Sequence, residues 1–234
     1  MKSEIKLSKR LQQIEKMVSS PYAHIWDCCC DHGLLGMALL SHQSSSTVHF
    51  VDIVPDLMAK LTHKLERFFS NATWQSHCID VAKLPLTQYQ GKHLVIIAGV
   101  GGDLMMQFIA AITQQHKHLE LDFLLCPVHH QYALRQQLIA LNFTLKDEVL
   151  IEDNQRFYEI MLVSSSSKEL SEKHRKISPV GDKIWQATSN MQSDTANKYL
   201  LKTLQHYQRI QQGSAQGSAN NPQHIIDAYL AVKR

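Results

Sequence analysis

Ile25-Trp26-Asp27-Cys28-Cys29-Cys30-Asp31-His32-Gly33 reads as a short apolar strand running into an acidic turn that closes at Gly33. An amphipathic helix follows, through Leu40. Downstream, Val48-His49-Phe50-Val51-Asp52 reads as a second strand, again ending on an acid. Strand, acidic turn, helix, strand and acid, in that order, build a nucleoside pocket at the carboxyl ends of the strands of an α/β sheet. Asp52 falls about 20 residues after the turn, the offset of a carboxylate that accepts from two ribose hydroxyls. The chain has no G-x-G-x-x-G, so no clear pyrophosphate cradle. A nucleoside cofactor without phosphates fits better, and S-adenosylmethionine is the common one.

The same alternation continues on both sides. Leu7, Leu11, Ile14 and Val18 recur at helical spacing, and Pro21 ends that N-terminal amphipathic helix. Strands are expected over 23–29, 48–53, 74–79, 93–98 and 121–126, and helices over 34–40, 55–69, 103–115 and 132–141. Ser44-Ser45-Ser46 reads as a polar turn. Two β-rich runs, 143–152 and 156–163, flank Asp153-Asn154 and read as an antiparallel hairpin. Five β/α units finished by such a hairpin are the plan of the Rossmann-like class I methyltransferase sheet, with seven strands.

Ser164-Ser165-Ser166-Ser167 is a low-complexity linker that divides the chain into a catalytic domain, 1–163, and an extension, 164–234. The extension reads as a helix over 196–211, with Tyr199, Leu200, Thr203, Leu204, Tyr207 and Ile210 as one stripe. A flexible loop over 213–222 and a last helix over 222–232 complete a small coiled-coil-like appendage. Between Ser164 and Arg234 stand ten Lys/Arg against five Asp/Glu, leaving 14 against 16 in the rest. A basic tail on a slightly acidic body suits a polyanionic partner.

A hydrophobic content of 44% over 234 residues supports a real core. No stretch is apolar for long enough to span a bilayer, and the charged N-terminus has no signal core, so a cytoplasmic protein with no membrane partner is expected. No stable protein partner is evident. Three of the five cysteines are consecutive. Adjacent strand residues point to opposite faces, so these read as reduced, buried hydrophobes rather than a disulfide frame. Their spacing is also wrong for zinc, and no metal is expected. No Ser-His-Asp arrangement or nucleophile elbow appears.

Four acids end predicted strands or flank their turns. Asp27 and Asp31 stand where a carboxylate meets the ammonium of a methionine moiety, Asp52 where one grips ribose, and Asp80 where one accepts from the adenine amine. Gly99, Gly101 and Gly102 follow the fourth strand, where glycine lets backbone approach a ligand closely. Cys126-Pro127-Val128-His129-His130 follows the fifth, beside the same mouth, and either histidine could meet a target base or a phosphate.

Leu7-Ser8-Lys9-Arg10-Leu11, Asp27-x-x-x-Asp31-His32-Gly33, Ile97-Ala98-Gly99-Val100-Gly101-Gly102 and Val149-Leu150-Ile151-Glu152-Asp153…Phe157-Tyr158-Glu159-Ile160 together resemble the bacterial TrmK family. Members of that family are S-adenosylmethionine-dependent tRNA (adenine-N1)-methyltransferases acting on adenine 22. The resemblance runs from Leu7 to Val163 and more weakly into the tail, where the family carries a helical extension. It implies that Asp27, Asp31 and His32 line the methionine end and that Arg10 closes over the cofactor. It further implies that Asp52 takes the ribose and Asp80 the adenine, and that Gly99, Gly101 and Gly102 form the methyl-transfer mouth. Ile53, next to Asp52, and His129, after the fifth strand, are further candidates for the cofactor and for the mouth. Two departures stand out: Cys29 replaces the family's usual glycine, and Cys126-Pro127-Val128 replaces a Gln-Pro-Asn-like segment. Three other readings stay open: a methyltransferase with another RNA, protein or small-molecule acceptor, a non-catalytic binding module of the same fold, and a nicotinamide dehydrogenase.

Overall fold

The continuous apolar runs of the sequence become the middle of the sheet, as expected for parallel strands covered on both faces. The computed structural model describes residues 5–19, 21–42, 45–166, 175–213 and 221–232. Its strands are β1 (His24–Cys28), β2 (Thr47–Asp52), β3 (Trp74–Cys78), β4 (His93–Ala98), β5 (Leu121–Cys126), β6 (Thr144–Asp153), β7 (Arg156–Ser164) and β8 (Arg175–Lys176). Its helices are α1 (Lys9–Met17), α2 (Leu34–His42), α3 (Pro55–Phe68), α4 (Gly102–Gln115), α5 (Gln131–Ala140), α6 (Asn190–Gly213) and α7 (Gln223–Leu230). The strand order is β3-β2-β1-β4-β5-β7-β6-β8. β1 to β5 are parallel, and β7 inserts antiparallel between β5 and β6. From β1 the chain winds outward to β2 and β3, then returns to β4 on the other side. The strand order therefore reverses between β1 and β4, and a crevice opens beyond their carboxyl ends.

Local chemistry explains most boundaries. Ser8 caps α1, its hydroxyl accepting from Leu11 N at 3.3 Å. Pro55 opens α3, where its missing N–H costs nothing. The β6–β7 hairpin turns on Asn154 and Gln155, both left-handed (φ 51° and 62°), one residue later than the sequence suggested. That pair of positive φ values matches the twist of the flanking strands.

Several expectations are corrected. The sheet has eight strands, not seven: Arg175 and Lys176 pair with Leu145 and Thr144, and two residues are too few to show a period of two. β3 is not followed by a helix. Two single 3₁₀ turns, Val81–Lys83 and Leu86–Gln88, carry the chain past Pro85 to β4, so only four of the five parallel strands have a following helix. α6 begins at Asn190 rather than near 196, because its first turns are exposed and polar and lack an apolar stripe. The extension packs on the rest of the chain. Tyr199 and Leu200 of α6 and Tyr229 of α7 pack with Trp185, Tyr132, Leu150 and Phe157 in a cluster reaching the hairpin and α5. Within the serine run, Ser164 closes β7 and Ser167 lies outside the described residues, as do Ser44 and most of the loop expected over 213–222. Among the described residues no helix is long and apolar enough to cross a membrane.

Sequence reading also missed a histidine cluster on one face of the sheet. The Gln90 carbonyl can only accept, so His24 donates to it from Nε2 (3.1 Å) and accepts at Nδ1 from His49 Nε2 (3.0 Å). His49 Nδ1 then accepts from His77 Nε2 (2.9 Å), which fixes each tautomer in the chain. The His49 ring stacks on Trp26 at 3.8 Å. Burial, reinforced by the neighbouring His77, His24 and His93, pushes the His49 ring down to about 3. A histidine lowered in the folded state stabilises fully above its unfolded value of about 6.5, and that contribution is lost as pH falls toward the folded value. NMR of the ring nitrogens should show His49 neutral, protonated on Nε2, from pH 7.5 down to about 4.5. A midpoint near 6.5 would contradict the hydrogen-bond chain.

Candidate active site

The first acidic turn is held open by backbone hydrogen bonds and by one side-chain carboxylate. After Cys28 the chain enters the left-handed region at Cys29 (φ 55°), again at Asp31 (φ 49°) and again at Gly33 (φ 68°). Cys30 N donates to Val51 O (3.1 Å), Asp31 N to Asp52 Oδ2 (3.1 Å) and Gly33 N to Cys30 O (2.8 Å). The turn is thereby fastened to the end of β2. Gly36 sits in the first turn of α2, where a Cβ would lie 2.2 Å from the Phe50 ring. Its absence lets Gly36 N donate to Asp27 Oδ2 at 2.9 Å.

Asp27 is buried beneath this helix start. Burial pushes its carboxyl up to about 7, the Gly36 N–H pulls the other way, and the Asp52 charge adds to the rise. A carboxyl raised in this way favours folding below its unfolded pKa of about 3.8, and that contribution is lost as pH rises through about 7. At neutral pH, Asp27 is thus a buried acid that a nearby cation would drive into its charged form. Asp52 stands at the end of β2, and its Oδ1 accepts from Val54 N (3.2 Å). Asp80 caps the first 3₁₀ turn after β3, accepting from Ala82 N (2.9 Å). Burial first, then the charges of Asp52, Asp27 and Asp80, push the Cys29 thiol up to about 11. A thiol raised in this way stays protonated at neutral pH.

An open cleft lies against this turn, lined by Arg10, Asp27, Cys29, Asp31, His32 and Ala98 among others. Arg10 comes from α1, across the crevice from the acids. Its backbone N donates to Asp153 Oδ2 (3.2 Å), and its guanidinium carbon lies 5.1 Å from the centre of the Tyr158 ring. Gly99 follows β4 with φ 84°, and a Cβ there would come within 3.4 Å of Arg10 Nη1. Gly101 supports the His129 ring, which a Cβ would meet at 2.4 Å. Gly102 N donates to His129 O (3.0 Å), and Val128 N to Val100 O (3.0 Å). The loops after β4 and β5 are therefore knitted into one lip. On it His129 is exposed, while His130 Nδ1 pairs with Asp103 at 2.8 Å.

Of the residues singled out from sequence, the structure places Arg10, Asp27, Asp31 and His32 in the cleft wall. Asp52, the exposed Ile53 and Asp80 stand beyond it at the ends of β2 and β3, and Gly99, Gly101, Gly102 and His129 form the lip at the ends of β4 and β5. Tyr158 and Asp153, which hold Arg10, were quoted only as parts of a motif. They lie about 150 residues from Arg10, and no local pattern announces so distant a contact. Among the described residues no group of three or more His, Cys, Asp or Glu side chains is disposed to hold a metal ion.

The cysteines need one correction. Cys28 alone is in the strand; Cys29 is half-buried in a left-handed conformation that costs a non-glycine residue roughly 1–3 kcal/mol. Cys29→Gly should relieve that strain, offset in part by the extra freedom glycine gives the unfolded chain, for a net gain of about 1 kcal/mol. It also removes a side chain from the cleft wall. A later urea midpoint together with tighter nucleoside binding is the expected outcome, and an earlier midpoint would show that Cys29 packs productively.

Residues 7–161 match the family described as a methyltransferase domain. The chain belongs to that family. Over 172 residues, 71% of this chain and 68% of the relative, the methyltransferase is 27% identical to the tRNA (adenine(22)-N(1))-methyltransferase of Bacillus subtilis (strain 168). Its fold matches that of the B. subtilis m1A22 tRNA methyltransferase TrmK with a TM-score of 0.69 at 22% identity, covering 97% of this chain and 98% of that one. The M. capricolum TrmK complex with S-adenosyl-homocysteine matches with a TM-score of 0.71 at 16% identity, covering 96% of each chain. The likeness to TrmK proteins read from the sequence is borne out, and so is the class I methyltransferase sheet.

Proposed function

We propose that this methyltransferase uses S-adenosylmethionine to methylate N1 of adenine 22 in tRNA. The observation that carries the reading is one cleft at the switch point of the sheet that holds Asp27 and Asp31 together with Arg10, its turn hydrogen-bonded to Asp52 at the end of β2. That donor set fits the cofactor's chemistry: an ammonium and a sulfonium meet carboxylates, a carboxylate meets a guanidinium, and ribose hydroxyls meet Asp52. The likeness to the B. subtilis enzyme supplies the acceptor.

When bound, S-adenosylmethionine supplies a methyl group already activated on a sulfonium. The chain therefore needs no covalent nucleophile, and adenine N1 carries a lone pair at neutral pH, so no residue has to remove a proton from it first. Asp27 and Asp31 bind the amino end, Asp52 and Ile53 the ribose, and Asp80 the adenine amine. His32 closes the methionine side. Gly99, Gly101 and Gly102 shape the mouth for the incoming base: Gly99 faces the Arg10 guanidinium, Gly101 and Gly102 let the His129 loop pack against the start of α4, and His129 on that lip contacts the base or a neighbouring phosphate. Alignment and exclusion of water are the main sources of rate, worth up to about 7–11 kcal/mol. N1 lies on the Watson–Crick edge, so the base must leave any pairing it makes. The extension, taken as residues 164–234, grips phosphate through exposed cations such as Arg175, Lys176, Lys202 and Arg209.

Purified protein, labelled S-adenosylmethionine and a tRNA transcript test this directly. Label should enter a transcript with adenine at position 22 and fall at least 100-fold when that base is guanine, and affinity for the transcript should drop steeply with salt. Equal labelling of both transcripts would point to another acceptor. Cofactor binding without transfer to any RNA would favour a binding module.

A further inference from the structure

Arg10 is held in place by four separate parts of the fold. Its backbone is tied to Asp153 at the hairpin tip, its guanidinium lies over the Tyr158 ring of β7 and hydrogen-bonds the Cys126 sulfur at the end of β5, and its Nη1 reaches toward the Gly99 turn after β4. Tyr158 is itself fixed: it faces Ile151 across the hairpin and packs against the core beneath α1 and α2. An arginine side chain has many rotamers, and immobilising it on binding costs affinity. A ring that already carries the guanidinium by a cation–π contact removes much of that cost in advance. Among the described residues, the other ionisable side chains in the cleft wall are Asp27, Asp31, His32 and three cysteines, so Arg10 is the permanent cation among them.

We propose that Tyr158 is a positioning residue: its ring holds the Arg10 guanidinium over the Gly99 turn, where it receives the carboxylate of the cofactor's amino-acid end. This rests on the cofactor reading given above. Tyr158 acts only through Arg10, so its effect is confined to ligands that carry that carboxylate, and it depends on the aromatic face rather than on the hydroxyl.

Calorimetry on the full chain with two probes, S-adenosyl-homocysteine and 5′-methylthioadenosine, separates the possibilities, because the second probe has the nucleoside but not the amino-acid end. Tyr158→Leu should weaken S-adenosyl-homocysteine about five- to tenfold and leave 5′-methylthioadenosine within twofold. Tyr158→Phe should restore wild-type affinity, and in an Arg10→Ala background Tyr158→Leu should have no further effect. Tyr158→Leu binding S-adenosyl-homocysteine like wild type would overturn the proposal. Equal weakening of both probes would overturn it too, since that is the mark of general damage to the hairpin. Should the wild-type protein bind neither probe, the cofactor reading falls and Tyr158 loses its role with it. Binding of both probes, with no dependence on Tyr158, would remove the positioning role alone.

Discussion

Arg135→Met is expected to cost about 3–5 kcal/mol of folding stability, the scale for removing one member of a buried ionic group and leaving the others uncompensated. The Arg135 side chain is fully buried. Its Nε donates to Glu159 Oε2 (2.7 Å), Nη2 to Glu148 Oε2 (2.7 Å) and Nη1 to Ser178 O (3.2 Å). The second oxygens are also used: Glu148 Oε1 accepts from Asp182 N and Lys183 N, both at 2.7 Å, and Glu159 Oε1 from the Tyr199 hydroxyl at 2.6 Å. Burial pushes the Glu148 carboxyl up, but the adjacent guanidinium and backbone donors outweigh it and hold it below the usual range. Methionine fills a similar volume yet leaves two buried carboxylates without their cation. Urea denaturation followed by circular dichroism measures the loss, and a change under 1 kcal/mol would mean that water or a shifted lysine replaces the guanidinium. The same group joins α5 and the hairpin to the 178–183 segment and α6, so it also fixes the extension against the sheet.

Asp52→Ala is expected to weaken S-adenosylmethionine binding about 100-fold. A carboxylate accepting from two ribose hydroxyls makes two charge-assisted hydrogen bonds, each worth about 1.5–3 kcal/mol, part of which water recovers. Asp52 also anchors Asp31 N, so its loss loosens the turn that carries the methionine-side acids. Asp52→Asn keeps an acceptor oxygen but no charge, and should fall between, near tenfold. Calorimetry with the purified chain decides it; an Asp52→Ala affinity within threefold of wild type would place the ribose elsewhere.

What the sequence made legible follows from burial. β4 and β5 are covered on both faces, read as unbroken apolar runs, and their bounds match the reading. The end of β1 does not, because Cys29 takes a backbone conformation that its side chain does not advertise. The candidate site is legible where its residues stand at strand ends: Asp27 and Asp52 follow apolar stretches, and Asp80 follows the mixed run over 74–79. It was not legible where partners meet across the fold. Arg10 with Tyr158, and Arg135 with Glu148, Glu159 and Tyr199, are contacts between elements far apart in sequence. The histidine chain was hidden for the same reason: His24, His49 and His77 come from three strands, and only pairing brings them together.

A crystal structure of the chain with S-adenosyl-homocysteine tests most directly whether the acids at the switch point seat the cofactor. Expected are both ribose hydroxyls within hydrogen-bonding distance of Asp52, the amino group beside Asp27 or Asp31, and the carboxylate on Arg10. A nucleoside lying away from the ends of β1 and β2, with Asp52 still bound only to Asp31 N and Val54 N, would contradict it.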